Sequence, residues 1–258
     1  MKSTHIINNR YNSYINIIKN IKHNRGNINF KNNGKLTICL IEFRIMPEIE
    51  YVINSILKVY DPSEIGFTLV FGNINKDYIY SITKNMKNIN YVYYNQFDNI
   101  SIRQYNKILK WNNFYKNFIN FEFVLIIQTD ALIIRKIDNI YFNYDYIGAP
   151  WSNIKDNHGG NGGFSLRRIK KMLETTSNNI ELTNIAGSKP NEDLFFSFRE
   201  DYHYCNNRQL HKAFSVETEY YKIPIGIHKL YFTHLNDNEF NNILSYINNN
   251  LITANMAF

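Results

Sequence analysis

The sequence predicts an α/β fold in which a doubly wound, mainly parallel sheet carries helices on both faces. The stretch 36–135 alternates short, continuous apolar runs with segments whose apolar residues recur at helical spacing. The apolar runs show no polar alternation, which is typical of strands buried on both faces. Strands that alternate with helices at these lengths favour a parallel sheet, because parallel strands need long crossover connections.

The elements follow in order along the chain. The run LTICLIEF is the first buried strand, and Pro47 stands where the next helix begins, a position at which proline is favoured. The predicted elements are strand 36–43, helix 47–58, strand 67–71, helix 78–86, strand 89–94, helix 102–119 and strand 121–127.

A single domain is predicted for residues 35–235, because no proline- or serine-rich linker divides the chain. Beyond Arg135 the alternation gives way to short segments joined by glycine-bearing turns, which we expect at the edge and mouth of the sheet. Residues 1–34 are rich in Asn and are predicted to be a peripheral segment with a weak helix at 14–21. Residues 236–258 are predicted to be a C-terminal tail with a helix at 240–247.

Composition excludes several classes of protein. The 258 residues are 44% hydrophobic and 16% aromatic, too apolar for intrinsic disorder. We expect a cytoplasmic protein, because the sequence has no apolar run of membrane-spanning length and no signal peptide. Cys39 and Cys205 are too few for a disulfide framework. The bias toward Asn, Ile, Lys and Tyr, which have A/T-rich codons, indicates the genome of an A/T-rich microbe or a large DNA virus.

The net charge of +7 suggests an anionic partner. Nucleic acid, a membrane surface and a phosphorylated substrate all fit this charge. A surface that is simply rich in lysine explains it equally well, since the basic residues are scattered.

The strand 121–127 ends in Gln128, Thr129 and Asp130, and ligands of open parallel sheets bind beyond such strand ends. A carboxylate among so many apolar residues needs a partner, because an unpaired buried charge is costly. Asp130 therefore has either a structural role, as a helix cap or in a salt bridge with Arg135, or a functional one. The functional role is that of a metal ligand that bridges a nucleotide diphosphate.

Four of the chain's 11 glycines lie at 159–163, around Asn161. Such a run lets the backbone approach a ligand closely, and we expect the segment that follows to be a helix whose N-terminal amides face an anion. The alternative is a loop without a ligand.

Two further positions carry candidate chemistry. Asn191, Glu192 and Asp193 precede an apolar segment, so they are either a helix N-terminus or a pair of acids that orient and deprotonate a hydroxyl. His228 follows a short apolar strand and is either structural or a metal ligand. An aspartate oxygen together with an imidazole nitrogen suits a manganese-type ion better than calcium.

These segments together resemble a known family. Its members are mostly uncharacterised, carry a domain of unknown function and are related to the GT-A glycosyltransferases. The resemblance covers roughly residues 36–232, and RQYNKILKWNNFYKNF is similar to a further family element, with Tyr115 where Trp is usual. The segments that carry it are QTDALI (128–133), YDYIGAPW (144–151), GNGGFSLR (160–167), NED (191–193) and GIHK (226–229).

The resemblance implies a GT-A-like fold and a transferase that moves a sugar from a nucleotide-diphospho-sugar to a hydroxyl of a glycan or protein. It implies a divalent metal, Mn²⁺ in preference to Mg²⁺, held by Asp130 and His228. Gln128 stands where the first acid of the metal-binding motif would be, and an amide supplies no charge.

The resemblance also implies roles for the other candidates. Asp193, or Glu192, matches the catalytic base. Trp151 either stacks on a sugar ring or fills the core beneath the glycine run, and Glu42 and Arg44 either contact the nucleotide or pair with each other. The residues expected to bind the donor are Glu42, Arg44, Gln128, Thr129, Asp130, Asn161, Gly162, Gly163, Trp151 and Lys229.

Two alternatives stay open. The first is an inactive GT-A scaffold that binds carbohydrate or is associated with a virion, which Gln128 favours; a viral chain would act in the host cytoplasm or the virion. The second is a nucleic-acid-binding protein, which the charge alone suggests, although no zinc-finger or RNP-like motif is present.

Overall fold

The structure is a computed structural model that describes residues 4–24, 26–152, 158–177, 190–232 and 234–253. Its strands are β1 (Ile28–Asn29), β2 (Gly34–Ile41), β3 (Gly66–Phe71), β4 (Met86–Lys87), β5 (Ile89–Tyr93), β6 (Phe121–Ile127), β7 (Ala131–Ile133), β8 (Tyr146–Ile147), β9 (Phe164–Arg168), β10 (Ser215–Val216) and β11 (Gly226–His228). Its α-helices are α1 (Thr4–Ile18), α2 (Glu48–Val59), α3 (Lys76–Thr83), α4 (Ile102–Leu109), α5 (Asn112–Lys116), α6 (Ile169–Ser177), α7 (Glu192–Ser197), α8 (Arg208–Phe214) and α9 (Asp237–Ile247).

The central sheet has six strands in the order β5-β3-β2-β6-β9-β8. The first four are parallel, and β9 and β8 continue the sheet in antiparallel pairing. The chain leaves β2 toward β3 on one side and reaches β6 on the other, so strand order reverses between β2 and β6. The predicted α/β class and the mainly parallel sheet are confirmed, and ligands of such sheets bind at this reversal.

The segment after the glycine run differs from the prediction. We expected a helix, but Phe164–Arg168 is strand β9, with Leu166 opposite Leu125 of β6. The helix α6 begins only at Ile169. Pairing with the most apolar strand of the sheet overrides the helical spacing of FSLRRIKKML, so the segment that directly follows the glycines is not a helix that begins at them.

A second sheet of three strands, in the order β10-β11-β7, lies beside the central one. In it β11 is antiparallel to β7, with His228 opposite Ala131. Because Asp130 directly precedes Ala131, this register brings Asp130 and His228 together although they lie far apart in the sequence. The topology thereby joins two of the segments that carry the family resemblance.

Apolar side chains fill both faces of the central sheet, as a doubly wound sheet requires. Alternate residues of β2 belong to different cores: Leu36, Ile38 and Leu40 pack with α2, whereas Cys39 and Ile41 pack against the α4–α6 side. The predicted helix 102–119 is two helices, α4 and α5, because Trp111 has extended backbone between them. Within the described residues, no helix is both long enough and apolar enough to span a membrane.

The N-terminal segment is part of this core, although we expected it to be peripheral. Helix α1 begins ten residues earlier than predicted and buries Tyr14 and Ile18. Arg10, which is also buried, donates a hydrogen bond to the carbonyl of Leu235 over 3.0 Å and pairs with Asp237 at the start of α9. Helices α1 and α9 therefore pack together against the same face of the sheet.

Candidate active site

One cleft of about 500 Å³ opens at the carboxyl ends of β2 and β6. It lies at the reversal of strand order, where the fold places ligands. Every site residue predicted from the sequence lines it, with the single exception of Trp151. Further lining comes from α4 and from the aromatic residues Tyr11, Tyr14 and Tyr231, which lie together on the opposite wall.

Glu42 and Arg44 pair with each other at the end of β2. The Arg44 guanidinium donates to both carboxylate oxygens of Glu42, over 2.8 and 2.7 Å, and Thr129 donates to Oε2 over 3.0 Å. Burial raises the pKa of Glu42, but the hydrogen bonds and charge of Arg44 outweigh burial and lower it below its ordinary value. Glu42 is thus an ionised anchor, while Arg44 stays 59% exposed with its guanidinium at the mouth of the cleft.

Asp130, His228 and Gln128 meet at the floor of the cleft. The imidazole Nε2 of His228 lies 3.0 Å from Oε1 of Gln128 and 3.3 Å from Oδ1 of Asp130. Oδ1 of Asp130 is buried and has no hydrogen bond within the described part of the chain, so its contact with His228 is an ion pair. Arg135, the alternative partner of Asp130, pairs with Asp138 instead, over 2.8 Å.

Charge dominates the titration of this pair. Burial alone would raise the pKa of Asp130, but His228 and Lys229 lower it below its ordinary value. Burial lowers the pKa of His228, yet the carboxylates of Asp130 and Glu217 raise it to about 9. Asp130 is therefore a carboxylate, and His228 carries a positive charge that a bound cation would replace.

These residues fit a divalent cation that is shared with a ligand. Asp130 Oδ1 is a buried oxygen without a hydrogen-bond partner, and the imidazole nitrogen beside it is a second donor atom. Among the described residues no group of three His, Cys, Asp or Glu side chains could hold a metal ion. A divalent cation that is also coordinated by substrate phosphates ordinarily has only one or two carboxylate ligands from the protein. Two protein ligands therefore suffice where a diphosphate supplies the others.

Gly162 and Gly163 occupy positions that have no room for a larger side chain. A methyl group on Gly162 would collide with Oε1 of Glu192, and one on Gly163 would collide with the ring of His228. The main chain at Gly163 also accepts a hydrogen bond from the amide of Gln128 over 3.0 Å. The run is therefore the surface against which the histidine and the acidic segment pack, and it lines the cleft at the same time.

Glu192 is held from below the cleft by Arg167. Nη2 of Arg167 lies 2.8 Å from Oε2 of Glu192, with both side chains buried. Burial raises the pKa of Glu192 to about 7, against the opposing charge of Arg167. Arg167 also donates to Tyr115 Oη over 2.9 Å and to Ser165 Oγ over 3.0 Å. An indole at position 115 could not accept that bond, so the phenol oxygen of Tyr115 serves as an acceptor for Arg167.

Asp193 is the more accessible acid of the two. It lines the cleft and forms no ion pair within the described residues, while its Oδ1 accepts a hydrogen bond from the neighbouring amide of Leu194, over 2.8 Å. Burial raises its pKa above the ordinary value. Asp193 can therefore accept a hydrogen bond or a proton from a bound ligand, whereas the carboxylate of Glu192 is paired with Arg167.

Trp151 lies apart from these residues. Its ring stacks on Phe198 with an interplanar angle of 4°, and it does not line the cleft. Sequence reasoning missed Arg167, which lies inside a segment noted for its glycines, and Glu217, which no motif marks. It also missed Tyr11 and Tyr14, because the segment that carries them was expected at the periphery.

The fold is that of the GT-A glycosyltransferases. The crystal structure of the glycosyltransferase GlyE of Streptococcus pneumoniae TIGR4 matches with a TM-score of 0.51 and 14% identity, over 86% of this chain and 64% of GlyE. The crystal structure of residues 1–349 of S. aureus TarS matches with a TM-score of 0.45 and 12% identity, over 86% of this chain and 72% of that fragment. The galactosyltransferase LgtC matches with a TM-score of 0.41 and 13% identity, over 58% of this chain and 64% of LgtC.

Residues 87–228 match the family of proteins of unknown function DUF5672, and the chain belongs to that family. The match contains the strand-end segment 128–130, the glycine run, the acidic pair and His228. No curated protein sequence matches the chain. The chain spans about two thirds of the length of GlyE, and at 14% identity the likeness is one of fold.

Proposed function

We propose that this protein is a glycosyltransferase that moves a sugar from a nucleotide-diphospho-sugar to a hydroxyl of a glycan or protein. The observation that carries the proposal is the convergence of Asp130, His228 and Asp193 in one cleft at the strand reversal of a GT-A fold. The three come from separate segments of the chain. Each is of a type that the reaction needs: a cation ligand, a second cation ligand and a base.

Asp130 and His228 would hold the divalent cation, which we propose to be Mn²⁺ in preference to Mg²⁺ because imidazole is among its ligands. When bound, the cation neutralises negative charge that develops on the leaving nucleoside diphosphate. Gln128 supplies an amide oxygen at the same place and no charge.

Side chains at the mouth of the cleft assist with the same charge. The ionised Glu42 holds the exposed guanidinium of Arg44 in one conformation. The guanidinium is therefore already oriented when a phosphate binds. Lys229 has a φ of 48°, and its amide donates to the carbonyl of Asp130 over 2.9 Å, which fixes its backbone beside the cation ligands.

Asp193 would remove the proton of the acceptor hydroxyl in a transfer that inverts the sugar. Its raised pKa makes it a stronger base than an exposed aspartate, and within the described segments it has no ion pair that it would have to break. Glu192 supports it by fixing the start of α7, since its amide donates to Oδ1 of Asn106.

The proposal is tested by incubating the protein with a panel of nucleotide-diphospho-sugars and Mn²⁺ and measuring release of the nucleoside diphosphate. We expect release from at least one donor, and its loss in Asp130→Ala and His228→Ala with the fold retained by circular dichroism. Unchanged release in both variants would remove the cation site from the proposal.

The second candidate is an inactive scaffold that binds carbohydrate. Gln128 favours it, because its Oε1 lies 3.0 Å from the imidazole nitrogen that would otherwise face a cation. Binding of glycans on an array, without release of nucleoside diphosphate from any donor with any divalent metal, would support this candidate over the transferase.

A further inference from the structure

Glu217 lies behind His228 because of the pairing of two short strands. β10 and β11 are parallel with Val216 opposite Ile227. Glu217 directly follows β10, and His228 is the last residue of β11, so the two side chains are neighbours as well. Oε2 of Glu217 lies 3.4 Å from Nδ1 of His228. The Glu217 side chain is 12% exposed, and neither its Oε2 nor Nδ1 of His228 has a hydrogen bond in the described part of the chain.

The imidazole of His228 is therefore enclosed by oxygen atoms. Nε2 faces Oε1 of Gln128 and Oδ1 of Asp130, and Nδ1 faces the carboxylate of Glu217. Two states suit these surroundings: an imidazolium with a proton on each nitrogen, or a neutral ring whose Nε2 binds a cation. In both states Nδ1 carries a proton, and that proton faces Glu217.

We propose that Glu217 is a positioning residue whose carboxylate accepts the Nδ1–H of His228 and holds Nε2 toward Asp130 and the cleft. The inference rests on the proposed function, in which His228 is a cation ligand. Carboxylates behind a ligating histidine fix its tautomer and ring orientation and make it a better donor. Gly163 lies against the same ring, so the imidazole has little room to turn away.

Glu219 provides a matched comparison on the same segment. It is two residues further along, is partly buried and pairs with Arg208, while Lys212 lies 3.9 Å away. Replacing either glutamate by glutamine removes one negative charge and the ion pairing of that side chain at nearly constant volume. Only Glu217 contacts the imidazole, so a purely structural effect would appear in both variants.

The first measurement is the affinity for Mn²⁺, titrated by calorimetry into the protein alone and in the presence of UDP or another nucleoside diphosphate. We expect Glu217→Ala and Glu217→Gln to bind Mn²⁺ about 10 to 100-fold more weakly than the unchanged protein. Glu219→Gln should stay within about twofold, because its carboxylate does not face a ligand.

The second measurement does not depend on the proposed function. Two-bond ¹H–¹⁵N spectra of the histidine rings report which nitrogen is protonated, with His228→Gln assigning the signal. We expect a protonated Nδ1 in the unchanged protein and in Glu219→Gln, and a changed ring spectrum in both Glu217 variants. If the unchanged protein binds no Mn²⁺ with any nucleoside diphosphate, the cation site fails, and the ring spectra alone decide on Glu217. A ring spectrum and an Mn²⁺ affinity equal to those of the unchanged protein in both Glu217 variants would overturn the inference.

Discussion

Nη2 of Arg167 lies 2.8 Å from Oε2 of Glu192, and this buried ion pair supports the floor of the cleft from below. Arg167 belongs to β9 and Glu192 to α7, so the pair joins the central sheet to the segment that carries Asp193. The rings of Tyr146 and Phe196 enclose the guanidinium, with its central carbon 5.0 and 5.5 Å from their centroids. The position of Asp193, the proposed base, is thus fixed by a buried ion pair.

Removing one partner of this pair should destabilise the fold strongly. In Arg167→Met, Glu192 loses its counterion, and Tyr115 and Ser165 lose their hydrogen-bond donor. We expect the free energy of unfolding, measured in urea at about pH 8, to fall by about 3–5 kcal/mol. The control is Lys136→Met, which breaks the exposed pair with Glu64 and should cost about 0–1 kcal/mol. Equal small losses in both variants would contradict a structural role for Arg167.

The raised pKa of Glu192 predicts a specific pH dependence of stability. Its pKa is about 7 in the folded protein, against 4.5 for an unperturbed glutamate, so the folded state binds the proton more tightly. The free energy of unfolding therefore falls as pH rises through this window and levels off above it. Urea titrations from about pH 5 to pH 8 should show the unchanged protein losing stability relative to Glu192→Gln. A flat profile or a gain relative to that variant would mean that Glu192 is already ionised in the folded protein at about pH 5.

Adding a methyl group at Gly163 should disturb the cation site, since the new atom would collide with the ring of His228. We expect Gly163→Ala to lose Mn²⁺ binding and about 1–3 kcal/mol of unfolding free energy from overpacking. Gly26→Ala is the matched control, because nothing lies within 4 Å of a methyl group there. Retained Mn²⁺ affinity in Gly163→Ala would show that His228 is not a ligand.

Asp193→Asn should separate catalysis from binding. If Asp193 is the base, kcat falls by about 100- to 10,000-fold, while the donor binds with unchanged affinity. Asp201→Asn, which changes a surface aspartate paired with Lys171 and Arg199, should leave both quantities unchanged. Steady-state kinetics and calorimetry with the same donor make the comparison. A parallel loss of donor binding in Asp193→Asn would move this residue out of the role of base.

Much of the fold could be predicted because the buried strands are continuous apolar runs. The run 121–133 was correctly divided at Gln128–Asp130, since polar residues interrupt it there. β9 could not be predicted in the same way: the spacing of FSLRRIKKML suits one amphipathic helix, and only pairing with β6 makes its first half a strand. Its buried arginine is stable there because Glu192, 25 positions later in the sequence, neutralises it.

The sequence predicts three parts of the candidate site, because each has an unusual local pattern. These are the polar residues 128–130 at a strand end, the glycine run 159–163 and His228 after a short apolar strand. Glu217 and the tyrosines of α1 gave no such signal. Glu217 acquires its position from the register of two-residue strand pairing, and α1 acquires its position from packing against α9. Both are long-range consequences of the fold that no local pattern encodes.

The central claim is that Asp130 and a divalent cation bind a sugar nucleotide in this cleft, and a thermal-shift panel tests it most directly. The panel sets sugar nucleotides and nucleoside diphosphates, with and without Mn²⁺, against the unchanged protein and Asp130→Ala. A ligand at about 100 times its Kd stabilises the folded state by about 2.7 kcal/mol, a readily measured rise in Tm. We predict such a rise for at least one sugar nucleotide, dependent on Mn²⁺ and absent in Asp130→Ala. No rise with any sugar nucleotide, or equal rises in the two proteins, would contradict the claim.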